Sequence, residues 1–166
     1  VAQLTYGVRK FENVDKEIRS VIPALYEASN ALIPMIDADT NAFNDYMEAM
    51  RLPKDTDEEK KIRSQAMQNG LKKAINIPLT TIKLADAAWD SFVELAKYGN
   101  IASRSDMEVG ARALETGIWG AYKNVLINLP GIKDEEYKAE KISESEAYVK
   151  RAEEKCKEIL EILGGR

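Results

Sequence analysis

The sequence predicts an all-α fold, a helical bundle with long kinked helices, and three observations carry that prediction. Apolar residues recur three and four apart along almost the whole chain. The alternation of β-branched residues expected of strands is missing. Capping and stop signals divide the pattern into a few long segments. With 166 residues, 45% of them apolar, and only 9 Gly and 5 Pro, the chain can bury a real core and reads as one domain, residues 1–166.

Val1 to Phe11 has no N-cap and reads as a helix already under way, with Gly7 inside it. A break at Glu12-Asn13 precedes a helical pattern from about Asp15 to Arg51, which Pro23 and Pro34 should kink. Leu52-Pro53-Lys54 ends it. Thr56 with Glu59 forms a capping box for a helix to about Asn76, and Pro78 suits the first turn of another reaching Tyr98, with Gly99-Asn100 as its stop. That helix is apolar over most of its circumference and is the expected centre of the bundle. Ser105 with Glu108 reads as a second capping box, opening a helix that Pro130-Gly131 closes after Leu129. The last helix, from about Asp134 to Leu163, carries the stripe Ile142, Val149, Ala152, Cys156, Ile159, Leu163, which makes Cys156 a buried structural thiol.

Composition excludes several classes of function. Lys plus Arg is 24 and Asp plus Glu is 28, for a formal charge of −4, so the basic face of a nucleic-acid binder is not expected. No run of 18 or more apolar residues suggests a membrane span, and no signal peptide is seen. One cysteine suits a reducing, cytoplasmic setting. There is no histidine. That removes the Ser/His/Asp and Cys/His arrangements and the commonest metal ligand, so acid–base chemistry must rest on Asp, Glu, Lys or Tyr. Zinc, iron–sulfur and phosphate-loop spacings are also missing.

On a wheel of 3.6 residues per turn, Leu32, Ile36, Phe43, Tyr46 and Met50 fall within roughly 40° of one line, a stripe expected to face the core. Asp39 falls inside that stripe, whereas Asp37 lies about 140° away. A carboxyl among Leu, Ile and Phe loses hydration in its charged form, which raises its pKa and suits it to acid–base work near neutral pH. The alternative is a buried Asp bonded to helix ends or paired with a cation.

On the helix after Ser105, Asp106, Gly110, Ala113, Gly117, Gly120, Asn124 and Asn128 share a sector about 80° wide. Small side chains with amides there can admit a flat ligand, or can serve close helix crossing with the amides satisfying helix ends. Basic residues cluster at Arg9-Lys10 and around Lys54, Lys60, Lys61 and Arg63, either to attract an anion or as solvated helix faces.

Several separated strings are specific together. They are Leu4-Thr5-Tyr6-Gly7 with Arg9-Lys10-Phe11, Ile36-Asp37-Ala38-Asp39 with Ala42-Phe43, Leu52-Pro53-Lys54 with Glu58-Glu59-Lys60, and Gly99-Asn100 with Ser105-Asp106. Ala113-Leu114-Glu115, Gly120-Ala121-Tyr122 and Asn124-Val125-Leu126-Ile127-Asn128 complete the set. In that order they resemble the formimidoyltetrahydrofolate cyclodeaminase family, which also contains methenyltetrahydrofolate cyclohydrolases. The resemblance runs from about Val1 to Asn128.

The resemblance implies an all-helical, dimeric, metal-free enzyme with no cofactor. It would close 5-formiminotetrahydrofolate to 5,10-methenyltetrahydrofolate with release of ammonia. The Asp assigned as catalytic in the family's Asp-Ala-Asp string falls on Asp39. Asn124, Asn128 and Asp106 are then expected to orient the pterin or the bridge carbon. Arg9, Lys10 and Lys54 are expected to hold the glutamate tail of a polyglutamylated folate. Expected partners are a second copy, in a homodimer or larger homo-oligomer, and a formiminotransferase, either on a separate polypeptide or, if the chain is an excised domain, fused to it. Family members begin earlier, with a short helix and a Pro-Gly-Gly-Gly-Ser turn, so the resemblance also implies an N-terminally incomplete domain. The alternatives are methenyltetrahydrofolate cyclohydrolase and a helical interaction module without activity. The Ala113-Leu114-Glu115 and Gly120-Ala121-Tyr122 strings look closer to the deaminase branch.

Overall fold

The computed structural model describes Val1–Arg166 throughout, and every regular element in it is helical. Five α-helices carry the fold: α1 Asp15–Arg51, α2 Asp57–Asp86, α3 Trp89–Tyr98, α4 Arg104–Asn128 and α5 Glu135–Gly164. No helix is long and apolar enough to cross a membrane.

The first residues correct the expectation of a helix entered midway. Two short 3₁₀ turns, Ala2–Leu4 and Arg9–Val14, are joined through Gly7 at φ 70°, a left-handed conformation that glycine adopts without strain. The Gly7 N–H donates to Asp15 Oδ1 at 2.8 Å. Thr5, only 1% exposed, donates to the Val1 carbonyl and accepts from the Asn100 N–H at 2.9 Å, which pins the segment to the loop after α3.

Helix α1 has the expected limits and runs through both prolines. The carbonyls that Pro23 and Pro34 leave without a donor belong to Arg19 and Asn30, which are exposed, so water can satisfy them. The Arg63 guanidinium caps the other end, donating from Nε and from a terminal nitrogen to the Met50 carbonyl at 3.2 and 3.1 Å.

The Thr56–Glu59 capping box forms as expected. Pro78, however, does not start a helix. α2 continues through it to Asp86, and the break falls at Ala87-Ala88 instead. The line Leu71, Ile75, Leu79, Ile82 stays buried across the proline, so packing holds the helix together where its own ladder loses a bond. At the true break, Arg151 of α5 bonds Asp86 and Asp90 on either side at 3.0 and 3.1 Å. Burial pushes the Asp86 carboxyl above its usual range, outweighing the pull of Arg151.

The Ser105–Glu108 capping box does not form either. α4 starts at Arg104, Ser103 at its N-cap makes no capping bond, and Glu108 Oε1 accepts from Arg104 Nε at 2.7 Å. α5 begins as predicted, with Asp134 accepting from the Tyr137 N–H.

α2 and α3 together form a broken central rod, around which α1, α4 and α5 pack. Trp89, Ile75, Ile82, Ile118, Val125 and Ile159 have no exposed surface and form the core with Cys156 among them. α4 also packs on α5, and α1 on α3. α1 and α4 both lie against α2 but scarcely meet each other. Asp39 of α1 and Asn124 of α4 line that gap.

Candidate functional site

Between α1 and α4 runs a trough of about 490 Å³, a size that suits a small organic ligand. Pro78 and Thr81 of α2 form its floor. Leu32, Ile33, Met35, Ile36 and Asp39 form the α1 wall, and Gly117, Gly120, Ala121 and Asn124 the α4 wall. Asp39 is its one ionisable side chain. Two features read separately from the sequence, the Asp39 carboxylate and the small-residue face with Asn124, therefore meet at one place.

The packing of α1 differs from the predicted stripe. Its inward positions repeat every seventh residue, as Val21, Ala28, Met35, Ala42, Ala49 and as Ile18, Leu25, Leu32, Asp39, Tyr46. A seven-residue repeat on an α-helix drifts by about 20° per heptad from a straight line, so a fixed wheel loses it over a helix this long. Ile36 and Phe43 belong to a neighbouring column and are 71% and 60% exposed. Asp39 keeps an inward position between Leu32 and Tyr46, but the seam opens there into the trough and leaves it exposed. The expected burial of its carboxyl among core side chains is not found.

The small-residue face of α4 divides into a packed part and an open part. A Cβ on Gly110 would stand 3.2 Å from the Phe92 ring, so Gly110 serves close packing. A Cβ on Gly117 or Gly120 would meet nothing within 4 Å. Those two glycines leave room in the trough. Asn128, expected to touch substrate, instead donates Nδ2 to the Ala74 carbonyl on α2 at 3.2 Å and to the Asn124 carbonyl at 2.9 Å.

The other predicted residues are not brought to the trough. Asp106 lies exposed in the first turn of α4, about 27 Å along the axis from Asn124 at 1.5 Å per residue. Arg9 and Lys10 are exposed before α1, and Lys54 is exposed just beyond its other end. The helix between them is on the order of 50 Å long.

Met35, Pro78 and Thr81 line the trough without having been expected there. The available signal was the Leu71, Ile75, Leu79, Ile82 line, which continues at helical spacing straight through Pro78. Apolar side chains also stay exposed along the trough: Ile33, Ile36 and Phe43 on α1, with Ile127 on α4.

Comparison with known proteins agrees with this architecture. The chain is 49% identical over 140 residues to a formimidoyltransferase-cyclodeaminase of Gallus gallus, covering 84% of this chain and 26% of that protein. A methenyltetrahydrofolate cyclohydrolase of Methylorubrum extorquens is 32% identical over 152 residues, covering 92% of this chain and 73% of that protein. The crystal structure of a formiminotetrahydrofolate cyclodeaminase from Thermotoga maritima superposes with a TM-score of 0.76 at 28% identity, over 97% of this chain and 78% of that one. The chain spans less than a third of the bifunctional relatives it matches, between 26% and 31% of their length. The family profile described as formiminotransferase-cyclodeaminase matches residues 1–147, and the chain belongs to that family.

Proposed function

We propose that the trough binds a reduced folate and closes 5-formiminotetrahydrofolate to 5,10-methenyltetrahydrofolate, releasing ammonia. The observation that carries this reading is Asp39, the single ionisable group in a ligand-sized trough, on a chain of this family. The reaction asks for one proton carrier. Attack of N10 on the protonated formimino carbon gives a tetrahedral intermediate with a proton too many on N10 and one too few on the departing amino group. A carboxylate reaching both nitrogens takes the first proton and delivers it to the second, so no net proton is consumed. Holding N10 against the carbon supplies much of the rate by proximity. Asn124 can fix the pterin by its amide, and the open space at Gly117 and Gly120 admits a flat ring. This chemistry needs no cofactor.

For assembly, we propose that a second copy covers the apolar residues flanking the trough, since a patch containing Ile36, Phe43 and Ile127 is costly to leave in water. Lys54, exposed beyond the Arg51 end of α1, would meet a polyglutamate tail that runs out of the trough along that helix. Arg9 and Lys10 would reach that tail only from a neighbouring subunit. A formiminotransferase supplies the substrate, and the setting is the cytoplasm.

The test mixes the protein with 5-formiminotetrahydrofolate and follows the near-ultraviolet band of the methenyl bridge together with ammonia. Both should appear together and vanish in Asp39→Asn. Consumption of added methenyltetrahydrofolate without deamination would instead favour the cyclohydrolase, a reading supported by the Methylorubrum relative. Silence in both assays would leave a helical module.

A further inference from the structure

We propose that Asn128 is a positioning residue that replaces the hydrogen bond Pro78 cannot make and thereby braces the floor of the trough to its α4 wall. This rests on the trough being the site of the folate reaction. In a regular helix the N–H of residue 78 would donate to the carbonyl of residue 74. Proline has no N–H, and its ring crowds that same carbonyl. The Ala74 carbonyl is therefore orphaned, on a half-buried residue facing α4, and an unsatisfied buried carbonyl is unfavourable. The Asn128 amide fills the place, with Nδ2 3.2 Å from the Ala74 oxygen.

The exposed prolines of α1 form a contrast that points to a specific role rather than coincidence. Pro23 and Pro34 orphan carbonyls on residues that water can reach, and no side chain from another helix is brought to them. Only Pro78, which lines the trough, has its missing donor supplied across a helix interface.

The same nitrogen donates to the Asn124 carbonyl at 2.9 Å. Both acceptors are carbonyl oxygens, which fixes the amide with its nitrogen toward them. One NH₂ group thus links the turn carrying Pro78 to the turn carrying Asn124, and both turns line the trough. Pro78 presents a smooth apolar ring to the ligand, and Asn128 keeps that ring and the Asn124 side chain in fixed relation. Asn128 touches the helices and not the substrate.

A double-mutant cycle tests this: the parent chain, Asn128→Ala, Pro78→Ala and the double variant. Each is assayed for kcat and KM with 5-formiminotetrahydrofolate, well below its unfolding temperature, and for its urea midpoint. Pro78→Ala returns a backbone N–H to the Ala74 carbonyl, so Asn128 should matter only while Pro78 is present. Removing Asn128 should lower kcat/KM about tenfold with Pro78 in place, and less than about twofold in the Pro78→Ala background, the scale of one hydrogen bond. The urea midpoint should show the same coupling. Fully folded enzyme in the assay means that lost stability alone leaves kcat unchanged.

Coupling in the urea midpoint without coupling in kinetics would show a bond that does not position the site, and would overturn the proposal. No coupling in either would show that the bond is not made, and would overturn it equally. A parent chain that binds and turns over no folate fails differently: it removes the reaction itself, while the urea cycle still reports on the Asn128–Ala74 bond.

Discussion

Asp39 of α1 and Asn124 of α4 stand on opposite walls of one trough whose floor is α2, although their own helices scarcely touch. Each is exposed, and neither side chain bonds another residue, so each is free to serve a ligand. The two should fail differently on mutation. Asp39→Asn removes the proton carrier and should lower kcat by roughly 10² or more, on the order of general acid–base catalysis. Asn124→Ala removes an orienting amide and should raise KM, with a smaller loss of kcat. Both should unfold within about 0.5 kcal/mol of the parent, as exposed substitutions do. Steady-state kinetics with urea titrations checks this. Equal effects on kcat and KM from both variants would remove the division of labour.

Glycines at Gly70 and Gly120 should respond to alanine with opposite signs. A Cβ on Gly70 would sit 3.0 Å from the Tyr46 Cα, where α1 and α2 cross, and backbone cannot move aside cheaply. Gly70→Ala gains about 1 kcal/mol of helix propensity but forces the helices apart, an overpacking cost of about 1–3 kcal/mol, so the net should be destabilising. A Cβ on Gly120 meets nothing, so Gly120→Ala should stabilise by about 0.5–1 kcal/mol. It also narrows the trough, and KM should rise. A more stable enzyme that binds substrate less well would show that Gly120 is there for the ligand. Stabilisation with unchanged KM would show that it is not.

Much of this was legible in the sequence because it depends on local rules. The Thr56–Glu59 box, the Gly99-Asn100 stop and the Asp134 cap are set by residues within a turn of each other. What escaped was decided by partners far along the chain. Pro78 reads as a helix start until Asn128, far downstream, supplies the bond it lacks. Asp39 reads as buried until the heptad drift of α1 turns Ile36 and Phe43 outward and the gap to α4 opens. The meeting of Asp39 with the glycine face of α4 was likewise invisible, since no local pattern says which helices leave a gap between them. Asp106 shared a wheel sector with Asn124 but not a site, because a wheel projects away distance along the axis.

Gln68 should act as a clasp for the turn between α4 and α5. Its Nε2 donates to the Gly131 carbonyl at 2.8 Å, and its Oε1 accepts from the Lys133 N–H at 2.9 Å, so one amide satisfies both groups of a backbone pair. Gly131 lies tight against Leu71, where a Cβ would come within 2.7 Å of the leucine methyl. Gln68→Ala should cost about 1–3 kcal/mol from the two unmade bonds. Hydrogen exchange at Lys133 should accelerate more than exchange in the middle of α2. Uniform acceleration would mean that the loss is global and the clasp is not local.

Cys156 should report on unfolding and on alkaline pH. It has no exposed surface, and burial, with the Glu115 carboxylate adding to it, pushes the thiol up to about 11. Only the thiolate attacks an alkylating reagent, so native protein at about pH 8 should label far more slowly than protein in urea. The linkage has a definite sign. An exposed thiol in the unfolded chain ionises near ~8.5. The folded chain therefore holds its proton where the unfolded one has lost it. The contribution of Cys156 to stability is fully present below ~8.5 and declines as pH rises toward about 11. Lysines and tyrosines titrate in the same range, so the comparison is the difference between the parent and Cys156→Ala across that window. The parent should lose stability more steeply than the variant. Parallel curves, or rapid labelling of the native protein at about pH 8, would mean that the thiol is open to solvent and that the α4–α5 packing around it is looser than the structure shows.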